Sequence, residues 1–232
     1  MQSKDETRFG QRDMASVRWR RPIGAHAKVL VIGGRREGKP DAANRPRQPT
    51  AFLKFPTSFA EPDAALMLPR RDGRFEIDAA IGFVIGREAS RVSSKDAAGL
   101  IFGYVLLADV TDVDAYEEEA RTNNGLLAKN HPGLSAISRV IHSRDASAGL
   151  PFSVRMKVNG AARQSFSTTD FPWSAEEAIA AWSLPTLVPG DIVALGAAMA
   201  RTTAPLVAIS PGDEIEIESD HLGTIRHTVQ SP

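Results

Sequence analysis

Short apolar runs broken by Gly, Pro and Asp turns recur along the chain, and they read as strands more often than as helices. AKVLVI at 27–32 is such a run and ends at Gly33-Gly34, AFLKF at 51–55 stops at Pro56, and a turn at Asp72-Gly73 precedes an apolar stretch that closes at Gly86. IFGYVLLADV at 101–110 is almost continuously apolar, as in a strand buried on both faces. Residues 152–158 alternate instead and lead into Asn159-Gly160, a pair suited to the left-handed backbone of a tight hairpin. PGDIVALG at 189–196, SPGDEIEIE at 210–218 and LGTIRHTV at 222–229 each predict a short strand opened by a turn. Helical signals are fewer. Ser94–Leu100 carries Asp96 in its first turn, Ser174 caps AEEAIAAW with Glu176 and Glu177 behind it, and 114–128 reads as helix or loop. The expected class is α+β, β-rich, with few short helices.

The length of 232 residues suits one domain, or two small ones, with a sizeable core. Twenty-eight basic side chains balance 28 acidic ones, which argues against a nucleic-acid partner, since such partners call for a basic field. The absence of cysteine excludes disulfides, thiolate zinc sites and a cysteine nucleophile. No stretch approaches the roughly 20 apolar residues that cross a bilayer, and the N-terminus lacks the apolar core of a secretory signal, so a cytoplasmic location without a membrane partner is expected. Residues 1–26 read as a flexible or loosely docked arm and 27–232 as the folded domain. Residues 35–50, rich in Arg, Pro and Gly, form a long loop, either a lid or a disordered excursion.

Several segments together resemble the fumarylacetoacetate hydrolase family: FLK at 52–54, FVIGREASRVSSKDA at 83–97, GYVLLADVTDVDAY at 103–116, VNGAARQSFSTTDFPWSAEEAIAAWS at 158–183, PGDIVALG, PGDEIEIE and LGTIRHTV. They run in order from about residue 28 to 229. The resemblance implies a mixed β-sheet roll or barrel, a homodimer, and a site at one mouth of the sheet that acts on a small carbonyl or carboxylate substrate. Family members hydrolyse or decarboxylate a C–C bond of a 2-oxo acid, hydrate a dienol or tautomerise an oxo acid, generally with Mg²⁺ or Mn²⁺. Such an ion chelates the substrate's carboxylate and oxo oxygens and steadies the enolate.

The family's ligands are a Glu-x-Glu pair before a strand-ending glycine and a later Asp. Counted back from Gly86, the pair falls on Asp78 and Ala80, and the later Asp is Asp109. An alternative register uses Glu76 and Asp78, which share a face because strand side chains alternate; it requires a two-residue insertion before Gly86. Glu76, Asp78 and Asp109 are therefore the candidate metal ligands, against the plainer reading of Glu76 and Asp78 as a solvated strand edge. Of the family's Lys-Ser-Phe-Asp segment Lys129 survives, a candidate to pair with a substrate carboxylate or an enolate.

The family's Asn-Tyr-x-x-His after the first strand reads here as Arg35 to Lys39 without a histidine, and its Thr-Gly-Thr-Pro-x-Gly turn reads as Leu195 to Ala200. His131, near Lys129, is a candidate replacement acid or base. Arg35 and Arg36 could clamp an anionic substrate. No serine elbow, histidine pair or phosphate loop stands beside these. Three readings stay open: a divergent enzyme of the family working through an enolate, a metal-free pocket for isomerisation or cyclisation, and a non-catalytic partner subunit.

Overall fold

The computed structural model describes residues 20–33, 48–62, 64–119, 122, 125–147, 151–196 and 207–232. The candidate lid, with Arg35 and Arg36, and the segment from Ala197 lie outside the described residues. Of the arm, residues 20–26 are described, and Arg21 ties them to the body through the carbonyls of Pro56 and Phe59 and the carboxylate of Glu61.

Two long strands form the spine. β4 (Phe75–Ile85) and β5 (Ile101–Asp112) pair antiparallel from Phe75↔Asp112 to Val84↔Gly103, and the ladder slips only between Val84 and Ile85. Both are buried along nearly their whole length, as their continuous apolar runs anticipate. Around them the larger sheet runs β2 (Ala51–Lys54), β1 (Val29–Ile32), β10 (Ile192–Gly196), β4, β5 and β6 (Ala136–Ile137), with β11 (Val207–Ile209) added to β4 and β7 (His142–Ser143) to β5. A second sheet of five strands runs β3 (Leu66–Met67), β13 (Gly223–Gln230), β12 (Glu214–Ser219), β8 (Ser153–Val158) and β9 (Ala161–Ser167). Asn159 and Gly160 turn β8 into β9 with φ of 53° and 75°, the left-handed values that a two-residue hairpin requires.

The sheets share one apolar core, in which Ile77, Ile81, Phe83 and Leu106 of the spine meet Val154, Met156, Ile217 and Ile225. The opposite face of the larger sheet buries a smaller cluster that includes Val29, Val31, Ala80, Val84, Leu107 and Ala194. Helices are short, as expected: α1 (Ser94–Ala97), α2 (Val113–Glu119), α3 (Arg144–Ser147) and α4 (Ala175–Trp182). Ser174 caps α4 with a full capping box closed by Glu177. The fold is the expected mixed, β-rich class with few short helices; among the described residues the larger sheet ends at β2 and β6, so no closed barrel forms. No helix among the described residues is long and apolar enough to cross a membrane.

Candidate functional site

The register of the spine places Asp78 of β4 directly opposite Asp109 of β5. Both are buried, at 6% and 2% exposure. Two carboxylates on opposed positions of neighbouring strands repel, and burial strengthens the repulsion, so each requires compensation.

Asp109 receives it from two lysines. Lys54, the last residue of β2, donates from Nζ to Asp109 Oδ1 at 2.8 Å and to the carbonyl of Lys129 at 2.7 Å. Lys129 donates from Nζ to Asp109 Oδ2 at 2.7 Å and lies 4.9 Å from the centre of the Phe52 ring. Lys54 is fully buried, which pushes its ammonium down to about 8; Asp109 pulls it back up and Lys129 adds to the fall. Burial alone would raise the Asp109 carboxyl, but the two ammonium groups hold it below the usual carboxylate range.

The segment that carries Lys129 is itself anchored. The Glu119 carboxylate, at the end of α2, accepts the backbone N–H groups of Leu127 and Ala128 at 3.0 and 2.8 Å. The Asn130 side chain accepts from Phe55 N and donates to the carbonyls of Leu53 and Leu126, clamping the segment to β2. Lys54 and Lys129, 75 residues apart, thereby meet on one carboxylate.

Asp78 is met from the second sheet. Gln164 of β9 donates from Nε2 to Asp78 Oδ1 at 3.0 Å, while its Oε1 accepts from Ala79 N at 3.0 Å. On the other side the Cα of Gly196 packs against Asp78 Oδ2: a Cβ at that position would fall 2.6 Å from the oxygen.

Of the residues singled out by sequence, Asp78, Asp109 and Lys129 come together. Glu76 shares the strand face of Asp78 but lies one step further along β4, opposite Thr111. His131 does not join them. Its Nε2 lies 3.3 Å from Asp112 Oδ2 without hydrogen-bond geometry, and Asp112 is held by Arg70 and caps α2 through Ala115 N. Asp112 lies three positions after Asp109, an odd offset that puts their side chains on opposite faces of β5. Lys54 and Gln164 were missed. Both lie inside recognisable motifs, but nothing local distinguishes a buried lysine or glutamine from an exposed one.

The donor set does not suit Mg²⁺ or Mn²⁺. Both oxygens of Asp109 face ammonium groups, Asp78 is bonded to an amide, and the next residue on that face, Ala80, brings only a methyl group. Among the described residues no three acidic or imidazole side chains gather closely enough to hold an ion. A cation would have to displace two like charges.

The model of the family described as "Fumarylacetoacetate (FAA) hydrolase C-terminal" matches residues 24–230. An uncharacterized protein from Pyrococcus abyssi is 31% identical over 189 residues, covering 79% of this chain and 80% of the relative. A 4-hydroxyphenylacetate degradation bifunctional isomerase/decarboxylase from Escherichia coli is 30% identical over 191 residues, covering 80% of this chain but only 42% of that longer protein. The crystal structure of 2-hydroxyhepta-2,4-diene-1,7-dioate isomerase from Mycobacterium marinum superposes with a TM-score of 0.76 at 25% identity, covering 94% of this chain and 79% of that one. In fold alone, at 18% identity and a TM-score of 0.75 over 88% of this chain and 90% of the other, the chain is also similar to fumarylpyruvate hydrolase from Pseudomonas aeruginosa, whose structure is a complex with Mn²⁺ and pyruvate. With the match spanning nearly every described strand, the chain belongs to the fumarylacetoacetate hydrolase family.

Proposed function

We propose that the protein is an enzyme acting on a 2-oxo acid or a related enolisable carbonyl compound, moving a proton at the carbon beside the oxo group. The observation that carries this reading is the Asp109 carboxylate held between two buried ammonium groups, with Asp78 directly across the strand pair. A buried cluster of this kind is costly to assemble, and such clusters concentrate at functional sites.

The roles follow from the donors. An ammonium carries three N–H donors, and Lys129 spends one on Asp109, so the others serve a substrate carboxylate or an enolate oxygen. In a tautomerisation Asp78 takes the proton from the carbon beside the oxo group, the C–H electron pair moves onto the oxo oxygen, and the proton returns to the enolate. In a decarboxylation the electron pair of the breaking C–C bond forms the same enolate as CO₂ leaves, and a proton taken up from water is delivered to that carbon through the Asp78 carboxyl group. The Lys54–Asp109 pair fixes Lys129 and limits the excess charge around it. The names of the Escherichia coli and Mycobacterium marinum relatives, an isomerase/decarboxylase and an isomerase, support proton-transfer chemistry. The Mg²⁺ or Mn²⁺ implied by the resemblance has no part in this reading, because its place beside Asp109 is already filled by cations.

The test is hydrogen–deuterium exchange at C3 of pyruvate and oxaloacetate, followed by NMR in D₂O with chelator-stripped protein. Exchange that survives chelation and falls about 100-fold or more in Lys129→Met is expected. No exchange above background, or exchange restored only by added Mg²⁺ or Mn²⁺, would overturn the reading.

A further inference from the structure

Among the described residues the ladder along β4 is interrupted at the site. β10 ends with Gly196 opposite Ala80, and β11 begins with Val207 opposite Ile77. Among the described residues, Asp78 and Ala79 therefore face no strand on that edge. The Ala79 N–H points into the gap, and a buried N–H without an acceptor would be costly.

Gln164 fills it. Its side chain, 3% exposed, offers Oε1 to Ala79 N and Nε2 to Asp78 Oδ1, both at 3.0 Å. Chemistry fixes this orientation, since a backbone N–H can only donate, so the amide oxygen must face it and the NH₂ must face Asp78. Strand alternation aims Gln164 inward: it lies two residues before buried Phe166 on β9 and opposite buried Met156 of β8, and the pairing slips only after that point, between Met156 and Lys157, leaving Arg163 unpaired.

We propose that Gln164 is a positioning residue for the proton transfer, holding the Asp78 carboxylate in one orientation through its hydrogen bond to Oδ1. This rests on the enolate reading above. Gln164 never touches the substrate; it acts through Asp78.

The experiment compares the full-length protein with Gln164→Leu and Gln164→Glu, reading kcat and KM for C3 exchange of oxaloacetate and affinity for oxalate, an enolate mimic, by calorimetry. In Gln164→Leu, KM and oxalate affinity should stay within about threefold while kcat falls about 30-fold or more, the signature of lost alignment rather than lost binding. Gln164→Glu can still accept from Ala79 but turns a second carboxylate on Asp78, so its kcat should be low at neutral pH. It should recover as the pH falls towards about 5, where a shared proton restores the donor, a limb that the parent lacks. A kcat for Gln164→Leu within about threefold of the parent, or a Gln164→Glu deficit that is flat with pH, would overturn the proposal. Should Gln164→Leu not fold, the pH profile of Gln164→Glu decides. A parent protein that exchanges neither pyruvate nor oxaloacetate sinks the enolate reading itself, whereas an active parent with indifferent variants sinks only the role of Gln164.

Discussion

Among the described residues, one cluster of charge is buried across strands of the larger sheet and another lies on the outer face of the smaller. In the outer cluster Glu216 lies between Lys157 and Arg226, which approach its oxygens at 2.8 and 2.6 Å, and Arg155 reaches Glu218 and Asp220 at 3.1 and 2.7 Å. The cation–carboxylate pairing and the contact distances are similar to those among Lys54, Asp109 and Lys129. The surroundings differ. Water screens the outer ladder, so each pair exchanges hydration for a contact of similar worth. The inner trio has lost its water, so its members depend on one another, and removing Asp109 leaves two ammonium groups without a counter-charge. Charge-pair geometry alone therefore does not distinguish a site from a surface; desolvation does.

The largest break in this comparison is Asp109→Asn, which leaves two ammonium groups in the core. It should cost about 3–5 kcal/mol in urea unfolding, with loss of C3 exchange. Gly196→Ala comes next. Its methyl group drives into Asp78 Oδ2, and a destabilisation of about 1–3 kcal/mol is expected, with exchange impaired more than stability.

A third effect is a slope. The Lys54 pKa in the folded protein, about 8, lies below the ordinary 10.5, so between those values the unfolded chain holds a proton that the native one has released. Stability from this group therefore rises with pH across that window, by at most about 1.4 kcal/mol per pH unit. Urea midpoints of the parent and Lys54→Met at pH 7.5, 9 and 10.5 should diverge in the parent's favour as pH rises; parallel curves would contradict the assignment. The smallest effect belongs to the outer ladder. Lys157→Gln should leave the unfolding midpoint within experimental error, and any difference should vanish in molar salt.

What the sequence disclosed follows the range of the forces involved. The Asn159-Gly160 turn, the Ser174 cap and the long apolar spine are local patterns, and they appear where expected. β3, β6, β7 and β11 have two or three residues each, too short for a period, and exist because longer strands offer them an edge. At the site, Asp78, Asp109 and Lys129 could be named from the family pattern, whereas Lys54 reads as an ordinary end of an edge strand until Asn130 folds the 125–130 segment onto it. His131 misled through nearness to Lys129. Two residues along a turn suffice to send one side chain to Asp109 and the other to Asp112.

Asn130 has one more effect. Among the described residues β2 is the last strand of its sheet, and the outward carbonyl of Leu53 and the amide of Phe55, just past the strand's end, form a short template for another chain, flanked by the exposed apolar side chains of Leu53, Phe55, Leu126 and Leu127. The Asn130 amide occupies both positions as a neighbouring strand would, ending the sheet where it would otherwise invite self-association. The residue that brings the two lysines together is thus also the one that keeps this edge from propagating.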